Sequence, residues 1–215
     1  MGWADARKHR AEAAPSERFG KAFYQRFYLD PGRAVTSRRE MELRGRFIGA
    51  FIRYSDMPVR RILDAGCGLG LMRPSLRRAL PTAEYVGLEA SPYLCRKHGW
   101  HEGSVVDWRS RHSYELVICY DVFQYLGDRD AARGLANLGR LASGILYFSA
   151  LTLEDWRFIA DRGRTDRDVA RRPAAWYRRR LARNFIEAGA GFWIRRGANV
   201  TLWSLETTAR ASHRV

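Results

Sequence analysis

The chain has 215 residues, 46% of them hydrophobic and 13% aromatic. That is enough to bury one substantial core, and it excludes global disorder. The formal net charge is +15, carried by arginine, since lysine occurs only at Lys8, Lys21 and Lys97. No apolar run has the length of a membrane span or the layout of a signal peptide. Cys67, Cys95 and Cys119 lack metal-ligand spacing and read as reduced thiols, so the expectation is a cytoplasmic protein without a metal or a membrane partner.

In chain order, residues 1–15 read as a loose polar leader. A helix is predicted over Ser16–Phe27, ended by Pro31 and Gly32. A second spans Ser37–Tyr54, with an apolar side from Met41, Leu43, Phe47, Ile48, Phe51 and Ile52. Both are expected to cap one end of a sheet, over residues 16–55.

Alternation follows over residues 59–148. Val59–Leu63 reads as a first strand, and the helix after Gly70 stops at Pro81, with Pro74 tolerated near its first turn. Tyr85–Leu88 is a second strand, Ser91–Lys97 a short helix and Trp100–Val106 a third strand. Leu116–Cys119 is a fourth, Ala131–Ala142 a helix and Ile145–Phe148 a fifth. Short apolar strands separated by helices predict a parallel sheet covered on both faces.

Residues 151–172 mix Asp155, Asp161, Asp166 and Asp168 with Arg157, Arg162, Arg164 and Arg167, and read as an insertion. Over residues 173–205 a helix is predicted at Pro173–Ala188, then a hairpin of Phe192–Ile194 and Val200–Leu205. The expected fold is α/β: a doubly wound, mostly parallel seven-stranded sheet with a C-terminal antiparallel hairpin and an N-terminal helical cap, in one domain over 16–208.

The segment RILDAGCGLG, Arg61–Gly70, takes a strand into a glycine turn and then a helix. Gly66 and Gly68 let the backbone approach a ligand, and the helix start offers N–H donors. Asp64 ends the strand and can accept from a cationic amine, directly or through water. Glu89, followed by Ala90 and Ser91, ends the second strand, where a carboxylate can accept from both ribose hydroxyls. Asp107 ends the third and can accept from an adenine amino group, with Trp108 beside the ring. A nicotinamide dinucleotide is the direct competitor, but Leu71 stands where its third glycine belongs. A P-loop is excluded because no Gly-Lys-Ser/Thr follows.

Arg61–Gly70, Gly87–Ser91, Ser104–Trp108 and Glu115–Leu126 resemble the successive motifs of the class I S-adenosylmethionine-dependent methyltransferases. The resemblance implies a seven-stranded Rossmann-like sheet and S-adenosyl-L-methionine as cofactor. It implies that Gly66 and Gly68 hold the cofactor's amino acid part, Glu89 and Ala90 its ribose side, and Asp107 and Trp108 its adenine. Tyr120 and Asp121, in ELVICYDVFQYL, fall beside the methionine end. Cys119-Tyr120-Asp121 is not the tetrad of amino-methylating nucleic-acid enzymes, and no Pro-Cys nucleophile is present.

The implied chemistry is in-line methyl transfer, mainly by positioning, with Tyr120, Asp121 and Tyr125 as candidate bases. Tyr24, Tyr28, Arg39, Trp156, Arg157 and Arg164 are the candidate acceptor residues, suited to a planar or anionic small molecule. The net charge and the Arg-rich insertion keep an RNA or protein acceptor as the alternative. A non-catalytic relative of the same fold comes third.

Overall fold

The computed structural model describes residues 18–30, 32, 34–203 and 205–207. The expected leader over 1–15 and the first residues of the first predicted helix lie outside them. Seven strands form one sheet in the order β3-β2-β1-β4-β5-β7-β6. They are β1 (Arg61–Ala65), β2 (Glu84–Glu89), β3 (His101–Glu102), β4 (Tyr114–Tyr120), β5 (Ala142–Ser149), β6 (Phe185–Gly189) and β7 (Phe192–Arg195). β1 to β5 pair in parallel, and β7 runs antiparallel to both β5 and β6.

Alternate residues of the central strands feed two cores, as the period of a strand requires. Ile62, Leu116, Ile118, Ile145 and Tyr147 enter one core, and Leu63, Val117, Cys119, Leu146 and Phe148 the other. All three cysteines are free and buried.

The first core is closed by helix α2 (Arg38–Tyr54). Its start is fixed by a capping box: Ser37 Oγ accepts from Glu40 N at 3.1 Å, and Glu40 accepts from Ser37 N at 2.6 Å. Met41, Ile48 and Ile52 face the sheet. Gly49 brings helix α3 (Arg73–Ala79) close, since a Cβ there would lie 2.4 Å from that of Ala79. Of the two helices expected at the end of the sheet, only the first sits there. α2 covers a face, because its apolar stripe is wide enough to need one.

That first helix, α1, is a turn at Lys21–Tyr24 that widens into a π-helical turn at Gln25–Leu29. Phe19 and Phe23 meet Tyr125 edge-on at ring separations of 5.3 and 6.0 Å, which holds it over the carboxyl ends of the strands.

The second core is closed by α5 (Asp128–Leu141) and α7 (Ala174–Leu181), with the short α4 (Pro92–His98) by β2 and β3. Leu135, Leu138 and Leu141 of α5 and Tyr177 and Leu181 of α7 belong to this core. The insertion forms α6 (Leu153–Phe158), whose start is capped reciprocally by Thr152 and Asp155.

Three expectations about strands are corrected. The helix predicted to Ala188 stops at Leu181, and Phe185–Gly189 is a strand that pairs with Phe192–Arg195. Val200–Leu205 forms no strand among its described residues. The apolar positions 177, 181 and 185 fit a helix, but Gly189, Ala190 and Gly191 at φ of 90°, 50° and 90° make the reversal, and this requires strands on either side. The third strand is only His101–Glu102 rather than Trp100–Val106, because Ser104 starts a turn: its carbonyl accepts from Trp108 N at 2.8 Å.

Candidate active site

The carboxyl ends of the parallel strands open into a cavity of about 1400 Å³. This is where an open α/β sheet places ligands, since the strand order reverses between β1 and β4. The glycine turn forms its floor. Gly66 and Cys67 donate to the Leu88 carbonyl at 2.7 and 3.1 Å, which ties the turn to β2. Gly66 has φ +80°, and a Cβ there would lie 2.2 Å from Val122 Cγ2, so no other residue fits.

Glu89 is buried beside this turn and lines the cavity. One carboxylate oxygen accepts from Gly68 N at 2.8 Å, and the other from Ser91 N at 2.9 Å and Tyr24 Oη at 3.2 Å. Burial raises its pKa, while the Gly68 and Ser91 N–H groups and the Tyr24 hydroxyl counter the rise. Ala90 and Asp107 line the same cavity. Asp107 is exposed, at the end of the turn begun by Ser104.

Two of the expected cofactor residues do not line this cavity. Asp64 lies a layer behind the glycine turn, only 1% exposed, with its carboxylate accepting from Tyr85 Oη at 2.5 Å. The strand that delivers Asp64 is covered on both faces, so the side chain is enclosed with its tyrosine partner. Trp108 packs against the core: its ring lies beside Gly103 and 5.6 Å from His101, and its Nε1 is buried without a partner.

Burial pushes the Asp64 carboxyl up to about 7, with the Tyr85 hydroxyl opposing the shift. The folded state therefore keeps a proton that the unfolded chain gives up near its ordinary value of 3.8. The associated stability is complete below that value and is lost as pH rises toward about 7. Urea unfolding of wild type and Asp64→Asn at pH 5 and pH 8 checks this. Relative to the Asn variant, wild type should lose on the order of 3 kcal/mol between the two. Parallel pH profiles would show that Asp64 is ionised throughout.

On the opposite wall, Tyr120 and Asp121 end β4, and both line the cavity. Asp121 is held at φ +57°, with its N–H donating to Ser149 O at 2.9 Å. Burial raises its pKa to about 6, while Arg44 and the hydroxyl of Tyr120 hold it down. Tyr24, Tyr28 and Tyr125 stand across from it with phenols raised by burial, so they are neutral hydrogen-bonding walls.

Of the expected acceptor residues, the structure brings Tyr24 and Tyr28 into the cavity, and not Arg39, Trp156, Arg157 or Arg164. Arg39 and Arg157 are exposed, and Arg164 reaches Asp161 at 3.6 Å on the surface. The Trp156 ring is covered by Arg171, whose guanidinium lies 3.9 Å from it. Arg18, Arg133, Arg171 and Trp176 line the cavity in their place.

Sequence reasoning missed two arginines. Arg172 is 4% exposed and donates to the carbonyls of Phe123 (3.0 Å) and Leu126, to Tyr177 Oη (3.2 Å) and to Asp128 (2.9 Å), fixing the loop after β4. Arg44 lies over the Tyr120 ring at 4.0 Å and donates to Tyr147 Oη at 2.7 Å, while its Nε is buried without a partner. A charge beside the apolar stripe of α2 is the signal that marks Arg44. Arg172 carries no such local mark.

A family model described as a methyltransferase domain matches residues 63–143, from β1 through α5 into β5. Residues 63–143 are thus similar to a methyltransferase domain. Among curated relatives, the ubiquinone biosynthesis O-methyltransferase of Hahella chejuensis is 29% identical over 118 residues, 48% of each chain. That of Bordetella bronchiseptica is 28% identical over 114 residues, 46% of each. The chain thus spans about half the length of the curated relatives it matches.

Among solved structures, magnesium protoporphyrin IX methyltransferase from Synechocystis, with S-adenosylmethionine bound, superposes with a TM-score of 0.62. It is 17% identical, over 87% of this chain and 100% of that one. The N-methyltransferase NodS from Bradyrhizobium japonicum, with S-adenosylhomocysteine, gives 0.51 at 14% identity, over 72% and 87%. At these identities the likeness is one of fold.

Proposed function

We propose that this chain moves a methyl group from S-adenosyl-L-methionine to a small-molecule acceptor. The observation that carries the reading is that one cavity is lined by the glycine turn, Glu89 and Asp107 on one side and by Tyr28, Tyr120, Asp121 and Tyr125 on the other. The cofactor fits what the residues offer. Gly68, at φ +54°, faces open space where a Cβ would stand, and Glu89 is a buried acceptor.

In this reading Gly66 and Gly68 serve the amino acid end, Glu89 and Ala90 the ribose, and Asp107 the adenine. Tyr120 borders the methionine side. Asp64 and Trp108 act from behind, as supports of the turns that carry Gly66 and Asp107. When bound, S-adenosyl-L-methionine supplies an electrophilic methyl group. The cap and the insertion exclude water and orient the acceptor. Asp121 takes the acceptor's proton, for which a carboxylate that titrates near neutrality is suited.

Aromatic rings beside Arg18, Arg133 and Arg171 favour a planar acceptor that bears an anionic group. The relatives named above as O-methyltransferases support a small acceptor. The test supplies methyl-labelled cofactor and follows label into small-metabolite, RNA and protein fractions. Transfer into the small-metabolite fraction is expected, and Asp121→Asn should slow it by about 10²-fold. Stoichiometric labelling of RNA or protein would replace the proposed acceptor class.

A further inference from the structure

Phe158 and Ile159 end helix α6 side by side and are 82% and 79% exposed. A single exposed apolar residue is ordinary, but an adjacent Phe–Ile pair left in water at a helix end is a cost that packing elsewhere does not require. Arg157, Arg162, Arg164, Arg167 and Arg171 surround the pair in sequence.

The acidic residues of this segment are already engaged. Asp155 caps α6, Asp161 meets Arg164, and Asp166 and Asp168 lie 3.6 and 3.5 Å from Arg18. Arg157, Arg162, Arg167 and Arg171 take part in no ion pair among the described residues. The local positive charge is therefore uncompensated.

This segment lies at the cavity mouth. Arg162 and Arg167 line a second cavity of about 580 Å³ that shares Arg18, Phe23 and Arg167 with the main one. The Trp156 ring fastens α6 to that rim, with the guanidinium groups of Arg171 and Arg162 at 3.9 and 5.9 Å.

We infer that residues 157–162 dock the protein on an anionic lipid surface, with Phe158 and Ile159 in the boundary between headgroups and acyl chains and Arg157 and Arg162 on the phosphates. A lipid interface supplies both environments within a few ångströms. RNA supplies phosphates and leaves the Phe–Ile pair in water, whereas an apolar protein groove covers the pair and leaves the arginines without anions. No helix of the described residues is long and apolar enough to cross a membrane, so the contact is peripheral. This differs from the expectation, drawn from sequence, of no membrane partner. It stands independently of the acceptor's identity.

The experiment co-sediments the full chain with vesicles of phosphatidylcholine alone and of phosphatidylcholine mixed with phosphatidylglycerol. Wild type should bind the anionic vesicles and release them as salt is raised. Phe158→Ser/Ile159→Ser should reduce partitioning at least about tenfold with the charge unchanged, since two apolar side chains lose their burial. Arg157→Gln/Arg162→Gln should remove the preference for anionic vesicles. Thermal melts of both variants establish that they are folded. Folded wild type that ignores anionic vesicles overturns the inference. So does a serine variant that binds like wild type, because charge alone would then account for adsorption. Binding to RNA that depends on Phe158 and Ile159, without vesicle binding, would reassign the surface to nucleic acid.

Discussion

Glu89→Gln should weaken the binding of S-adenosylhomocysteine by at least about 10²-fold. A charged acceptor is worth about 1.5–3 kcal/mol per hydrogen bond, and the ribose offers two hydroxyls. Glutamine keeps one acceptor oxygen but turns an NH2 group toward the Gly68 or Ser91 N–H, both of which now donate to the carboxylate. Titration calorimetry measures the loss. Because burial raises the pKa of Glu89, wild-type affinity should also climb with pH through the acidic range, whereas the glutamine variant should not respond. A variant that folds and binds as tightly as wild type would take Glu89 out of the site.

Arg172→Met should cost about 3–5 kcal/mol of stability, the range for removing one partner of a buried charged network. Its ion pair with Asp128 contributes little, because the Asp128 side chain is 80% exposed. The cost comes from the Phe123 and Leu126 carbonyls and the Tyr177 hydroxyl, which lose a buried donor. These groups join the loop after β4, α7 and the return of the insertion, where Leu153 N donates to Arg172 O at 2.9 Å. Chemical denaturation of wild type and variant gives the difference. A loss below about 1 kcal/mol would show that water replaces the guanidinium at no great cost.

What was legible in the sequence is what depends on neighbours in the chain. The glycine turn and the acidic end of β2 each need only a few adjacent residues to be recognised, and each lies near where it was expected. The acceptor wall was not legible in this way. The insertion alternates Asp and Arg, and which arginine turns inward is decided where Arg172 meets Phe123 and Leu126, nearly fifty positions away. Arg164 and Arg171 look alike in sequence, yet only Arg171 lines the cavity. The setting of Asp64 was hidden for a related reason: the Tyr85 hydroxyl that encloses its carboxylate comes from the neighbouring strand. At the C-terminus, the spacing of Tyr177, Leu181 and Phe185 satisfies two periods, and the three left-handed residues 189–191 decide between them.

With Glu89 holding the ribose as proposed, the hydrogen bond from Tyr24 to Glu89 makes the nucleoside a competitor of the cap. A carboxylate has about four acceptor positions, and Gly68, Ser91 and Tyr24 already occupy three. A diol that claims two must evict one donor. The two backbone N–H groups are fixed by the glycine turn and by the start of α4, so Tyr24 is the one that can leave. Its release frees a residue at the seam between the Lys21–Tyr24 turn and the wider Gln25–Leu29 turn. Measured affinity is then an intrinsic affinity reduced by the fraction of molecules in which Tyr24 has let go. A chain with phenylalanine at that position would bind the nucleoside more tightly while holding its cap more loosely.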